Sequence, residues 1–149
     1  ETTYLTQPPD FTGFNDAAKG QTAADGMFDA GADVVYHAAG GSGGGVFTAA
    51  TEAGEGKWAI GVDSDQALTA DPAVRDVILT SMIKRVDTAV YEFIKSVNTD
   101  SFEAGETIFG LSSNGVGYST TGGHIDDIVA QLEDYKAKII SGEITVPSS

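Results

Sequence analysis

A chain of 149 residues is the length of one domain, and its 41% apolar composition is enough for a continuous core, which excludes a wholly disordered chain. Twenty-two acidic against 8 basic residues give a net charge of −14, which repels nucleic-acid phosphates and anionic lipid headgroups and argues against both as partners. Cysteine is absent, so disulfides, thiolate metal sites and cysteine nucleophiles are excluded, and no stretch approaches the length of a membrane span.

In chain order, Thr2-Thr3-Tyr4-Leu5-Thr6 predicts a short strand that the prolines of Gln7-Pro8-Pro9-Asp10 terminate. From an N-cap at Asn15 or Asp16, the spacing of Ala17, Ala24, Met27 and Phe28 predicts an amphipathic helix, with Gly31 at its C′ position. Residues 33–38 are too short and too β-branched for a helix and predict a buried strand that runs into a glycine-rich turn, Gly40 to Gly45. Val46, Phe47, Ala50 and Ala53 predict a second helix closed by Gly54, and residues 57–62 a second buried strand.

After a polar loop, residues 77–80 predict a third core strand, and Val86, Val90, Phe93, Ile94 and Val97 a third helix. Thr107-Ile108-Phe109 predicts a further strand. Residues 125–140 predict a long helix with Ile128, Leu132, Tyr135 and Ile139 on one face, followed by an extended tail from Gly142. This alternation predicts an α/β fold, a mostly parallel sheet flanked by helices. In such sheets ligands bind beyond the carboxyl ends of the strands, so the loops at 38–45, 63–66 and 81–85 are the candidate site.

Each loop carries chemistry suited to a polar ligand. The glycine run, Gly40 and Gly41 included, can present backbone N–H groups at a helix start, or can serve only as a tight turn. Asp63, in the run Asp63-Ser64-Asp65-Gln66, can accept two hydrogen bonds at once and so matches the vicinal hydroxyls of a furanose. Asp63 or Asp65 can equally cap the following turn. Lys84 lies near a helix N-terminus, where positive charge is unfavourable without a partner. Asp63 can be that partner, and Lys84 can donate to ligand hydroxyls or a ring nitrogen. Arg85 reads as a solvated or hinge-facing charge.

Tyr36, in a core strand, reads as packing or as a stacking platform, and Gln66 joins the candidate ligand-binding set from the same loop as Asp63. His37 is expected to be a partly buried side chain with its hydrogen bonds satisfied, and His124 to precede or cap the last helix. No catalytic residue, metal ligand or cofactor is assigned. Gly41-x-Gly43 with Asp63 about 20 residues on approaches a dinucleotide fingerprint, but Val46 stands at its third glycine, which leaves a dinucleotide-dependent enzyme as an alternative. Ser42 lies among glycines without a base, which gives nucleophilic catalysis little support.

Gly13-Phe14-Asn15-Asp16-Ala17-Ala18-Lys19-Gly20, Gly31 through Gly43, Ile60-Gly61-Val62-Asp63-Ser64-Asp65-Gln66 and Leu79 through Asp87 together resemble the basic membrane protein family, and Gly115-Val116-Gly117 and Ala137 through Ile144 continue the resemblance. The resemblance implies a lipid-anchored, extracytoplasmic substrate-binding protein of an ABC importer, with a two-lobed type I periplasmic-binding fold, that binds purine nucleosides and is not an enzyme. It implies that residues 1–149 are the C-terminal lobe, that Asp63 and Lys84 hold ribose hydroxyls, that Gly41 contributes its backbone, and that Tyr36 stands where a phenylalanine stacks on the base.

The resemblance further implies an N-terminal lobe and a lipidated cysteine outside this chain, and the importer's permease subunits as partners. Without the other lobe, the single lobe is expected to bind nucleoside feebly, to expose an apolar surface that favours self-association, and to let residues 118–149, the last helix and tail, take a different position. A ligand-sensing module of the same receptor fold without transport is the remaining alternative.

Overall fold

The computed structural model describes residues 1–147. Helix α1 spans Ala17–Asp29 and starts where the sequence predicts it, because the Asp16 carboxylate accepts a hydrogen bond from the Lys19 backbone N–H. It ends at Gly31, whose φ of 100° lies in the region that favours glycine. Strand β1 (Val34–Tyr36) follows, then a turn of 3₁₀-helix at Gly40–Ser42 that passes directly into α2 (Gly43–Ala53). Strand β2 (Trp58–Asp63), a short helix α3 (Gln66–Thr69), strand β3 (Ile78–Lys84), helix α4 (Val86–Asn98), strand β4 (Val116–Tyr118) and helix α5 (Val129–Ser141) complete the order.

The four strands form one sheet in the order β1-β2-β3-β4, in which β1, β2 and β3 run parallel and β4 returns antiparallel to β3. The register brings the carboxyl ends of β2 and β3, at Asp63 and Lys84, to one rim, while β1 ends earlier, with Tyr36 level with Ile60. The core joins Ala24 and Phe28 of α1, Val46, Phe47, Ala49 and Ala50 of α2, and Val35, Ala59 and Ile78 of the three parallel strands. Burial of a side chain such as Phe47 contributes about 1.5–3 kcal/mol, which places most of the stability in this layer. On the other face the rings of Trp58 and His124 lie 4.7 Å apart, and Ile125 beside them in sequence is buried.

Five sequence expectations are corrected. No strand forms at residues 2–6. There the Thr6 hydroxyl donates to the Asp10 carbonyl at 2.7 Å, closing a local turn around the prolines instead of joining a ladder. No strand forms at residues 107–109 either. Ile108 is 83% exposed and meets no sheet edge among the described residues. Only Gly40 (φ 55°) of the glycine run makes a sharp turn, since Gly43, Gly44 and Gly45 are helical.

The reason is packing against α1. A Cβ on Gly45 would strike the Ala17 carbonyl oxygen, and one on Gly20 the Ser42 carbonyl oxygen, so the two helices approach each other backbone to backbone. The third strand, expected at residues 77–80, extends to Lys84, because Met82, Ile83 and Lys84 pair with β4. The last helix begins at Val129, the residues before it forming turns.

Helix α4 is amphipathic as predicted, yet none of its residues is buried. Val86, Val90, Tyr91, Phe93, Ile94 and Val97 are all at least half exposed. Helix α5 also has no buried residue and is tied to the sheet by the hydrogen bond from Tyr118 Oη to Glu133 Oε1 at 2.7 Å. None of the helices is long and apolar enough to cross a membrane among the described residues.

Candidate functional site at the carboxyl rim of the sheet

Asp63 ends β2 and Lys84 ends β3. The strand register sets Asp63 beside Ile83, and the Lys84 side chain closes the one-residue offset to bring its Nζ to 2.7 Å from Asp63 Oδ1. Both side chains are more than half exposed. A solvated pair of this kind contributes at most about 1 kcal/mol to stability, so folding is not the reason for its place on the rim. Asp63 also has a φ of 69°, rare for a residue with a side chain, and Ser64 N–H donates to the Val62 carbonyl at 2.9 Å across it, forming a γ-turn. Backbone conformations of this kind gather at functional sites, where they aim a side chain that a regular strand end would direct elsewhere.

Gln66 stands behind this turn. Its Oε1 accepts from the Val62 N–H at 2.7 Å, and its own N–H donates to the Ser81 hydroxyl at 3.1 Å. Those bonds brace the ends of β2 and β3 against each other, so the Gln66 carbonyl oxygen is engaged within the chain. Ser42 plays a comparable part. Fully buried, it donates to the Gly13 carbonyl at 2.6 Å and accepts from the Asp16 N–H at 2.7 Å, pinning the start of α1 to the start of α2.

An open depression of about 700 Å³ adjoins the ion pair and is lined by Asp63, Asp65, Lys84, Arg85, Ser119 and Thr121 among others. Tyr36 stands at the end of β1, half exposed, and lines a neighbouring groove beneath residues 1–6. Gly40 and Gly41 pack against the Phe14 carbonyl and the Asn15 side chain. Asp63 and Lys84 are thus in contact, whereas Tyr36 ends β1 at the level of Ile60, and Gly40 and Gly41 follow it in the 3₁₀ turn. The space next to Gly41, Gly43 and Gly45 is filled by Asn15, His37 and Ala17, so the glycine run leaves little room for a pyrophosphate to approach its backbone.

His37 departs from expectation. It is 4% exposed, its ring packs edge-on to Phe47 at 5.2 Å, and neither ring nitrogen has a hydrogen-bond partner among the described residues. Burial holds its pKa below the ordinary value of 6.5, opposed in part by neighbouring Gln66 and by the Asp63 charge. A contact that sequence reasoning did not anticipate is the hydrogen bond from Thr121 Oγ1 to Asp65 Oδ2 at 2.5 Å. Fifty-six positions separate the two residues, and no local pattern announces such a pairing.

The architecture matches known proteins. A family model described as Bmp, ABC transporter substrate-binding protein PnrA-like, covers residues 9–149. The chain belongs to that family. It is 42% identical to a CD4+ T-cell-stimulating antigen of Listeria monocytogenes over 146 residues, which cover 90% of this chain and 41% of that relative. It is 38% identical to the ABC transporter nucleoside-binding protein BmpA of Lactococcus lactis, over 91% of this chain and 42% of that protein.

Among solved structures, an ABC transporter system solute-binding protein from Aeropyrum pernix superposes with a TM-score of 0.70 at 31% identity, over 91% of this chain and 46% of its own. The Bmp-family chain therefore has the mostly parallel α/β architecture of a solute-binding protein and spans about two fifths of the length of the curated relatives it matches.

Proposed function

We propose that this chain is the C-terminal lobe of an extracytoplasmic receptor that holds a nucleoside between two lobes and delivers it to the permease subunits of an ABC importer, without chemical turnover. The observation that carries the proposal is the Asp63–Lys84 pair at the carboxyl rim. One group accepts hydrogen bonds, the other donates them, and both stand open to a ligand. Vicinal sugar hydroxyls can donate to the Asp63 carboxylate and accept from the Lys84 ammonium. Gly40 and Gly41 add backbone polarity, Tyr36 adds an exposed ring that can stack on a base, and Gln66 holds the strand end that carries Asp63. The nucleoside-binding name of the Lactococcus relative supports this choice of ligand.

The two-lobe reading draws on the segment between β3 and β4. It departs at Arg85, beside Lys84, and returns at Gly115, and α4 within it exposes its whole apolar face. A companion lobe seated on that face would lie over the same rim and cover the ligand, excluding water as an open single lobe does not. Lipid anchoring outside the cytoplasm belongs to the same proposal, by family membership.

Calorimetry on the full-length protein tests the reading. Adenosine or inosine is expected to bind saturably, and Asp63→Ala and Lys84→Ala each to weaken binding about 10- to 100-fold, as removal of a charge-assisted hydrogen bond does. Wild-type protein that binds no nucleoside, or variants that bind as wild type does, would overturn it.

A further inference from the structure

We infer that Asp65 is a positioning residue of this ligand site, acting through Thr121 to hold residues 119–123 in place as a wall of the depression next to Asp63 and Lys84. The inference rests on the nucleoside-receptor reading above and extends it to residues that do not themselves grip the sugar.

Asp65 stands where an N-cap would stand for α3, but its side chain makes no capping bond to that helix. Instead its carboxylate crosses to the hydroxyl of Thr121. A hydroxyl donating to a carboxylate is among the stronger hydrogen bonds, and here it takes the place of a helix cap. The other carboxylate oxygen, Oδ1, is buried without a partner among the described residues. Burying an unpaired carboxylate oxygen costs stability, so the arrangement is poorly explained as a device for stability alone.

What it does explain is the shape of the connection between β4 and α5. Both ends of that connection are anchored. At the start, Ser119 N–H donates to the Ser81 carbonyl at 3.0 Å, Thr80 Oγ1 donates to the Ser119 carbonyl at 2.6 Å, and Ser81 N–H donates to Ser119 Oγ at 3.0 Å. At the far end His124 packs on Trp58. Between the anchors lie Thr120 to Gly123, with Gly122 and Gly123 at φ values of 91° and 73°.

Glycines of this kind leave a backbone many alternatives. The Thr121–Asp65 bond is the side-chain tie that fixes this middle portion to the turn carrying Asp63, two residues away from Asp65. The wall and the sugar-holding carboxylate are thereby set relative to each other. Thr121 and Asp65 line the same depression as Asp63 and Lys84, so a shift of the wall changes the space beside the ion pair.

The test uses the full-length protein with inosine as the probe. Thr121→Val and Asp65→Ala are each expected to weaken binding about tenfold, as loss of one charged hydrogen bond would. The double variant is expected to bind no worse than the weaker single, because both remove one tie, and Thr121→Ser is expected to bind as wild type does. In both single variants, amide hydrogen exchange at residues 119–123 rises. Should Asp65→Ala not fold, Asp65→Leu and Thr121→Val carry the same comparison.

Unchanged affinity in the single variants, fully additive losses in the double variant, or failure of Thr121→Ser to restore binding would overturn the inference. If wild-type protein binds no nucleoside, the receptor reading fails by itself. Hydrogen exchange then decides on Asp65: unchanged protection of residues 119–123 in Thr121→Val overturns its positioning role, and loss of protection supports it.

Discussion

The Arg85 backbone N–H donates to the Gly115 carbonyl oxygen at 2.8 Å, which joins the two ends of the excursion from β3 to β4 at its base. Between them lies α4, none of whose residues is buried. In the 149-residue chain this leaves Val90, Phe93, Ile94 and Val97 of α4 and Phe102 beyond it exposed together, with Phe93 and Phe102 edge to face at 5.6 Å. Contiguous apolar surface of this sort marks an interaction site.

The isolated chain is therefore expected to self-associate through α4. The net charge of −14 opposes this at low ionic strength, so sedimentation should show more dimer as salt is raised. Phe93→Glu combined with Val90→Lys should return the chain to monomer at all salt concentrations. A chain that remains monomeric at high protein and salt concentration would contradict the expectation.

The two-lobed nucleoside receptor proposed above predicts a gap in affinity between residues 1–149 alone and the full-length protein. One rim can bury only one side of a nucleoside, and the depression at Asp63 and Lys84 is open. Calorimetry with inosine should give binding at least about 100-fold weaker for residues 1–149 than for the two-lobed protein, a difference of about 2.7 kcal/mol. Comparable affinities would count against a second lobe that covers the ligand.

Much of this molecule is legible locally, and what escapes is non-local. The Asp16 cap, the left-handed Gly31 and Gly54 and the three parallel strands follow from signals a few residues wide. Helix α4 is also legible as a helix, but its periodicity reports an apolar face without reporting what covers it, and Ile108 reads as a strand residue though among the described residues it meets no edge to pair with. The glycines at 43–45 read as a turn because glycine is a poor helix former, and only the closeness of α1 explains why they are helical. The acid and the amine at the rim could be anticipated from two strand ends, whereas Asp65 and Thr121 meet across a separation that no spacing rule reaches.

That reading of the glycines makes a prediction of opposite signs at adjacent positions. Gly44 faces open space, so Gly44→Ala should stabilise the protein by about 0.5–1 kcal/mol through helix propensity. Gly45→Ala gains the same propensity but forces a methyl onto the Ala17 carbonyl oxygen, and overpacking of this kind costs about 1–3 kcal/mol or more. Urea denaturation should place the two midpoints on either side of the wild-type value. If both variants shifted the same way, the close crossing of α1 and α2 would not govern this helix.

His37 carries the pH dependence that can be assigned with a definite sign. Its ring is buried against Phe47 and Gly43 at the start of α2, where a positive charge is disfavoured both by desolvation and by the helix N-terminus. The Asp63 charge and Gln66 act in the opposite direction but do not outweigh burial, and the folded pKa lies below 6.5. The unfolded chain therefore takes up the proton first as pH falls, so the neutral ring's contribution is complete above about pH 6.5 and is lost progressively below it, down through the folded pKa.

Wild-type protein should thus be less resistant to urea at pH 5 than at pH 7.5. His37→Asn, though less stable at neutral pH for want of the Phe47 contact, should lose a smaller fraction of its stability over that interval. The exposed carboxylates of Asp10 and Glu133, held low by Thr12 and Tyr118 respectively, titrate below this window and leave the comparison clean. Equal pH slopes for the two proteins would mean that His37 is not the group being protonated.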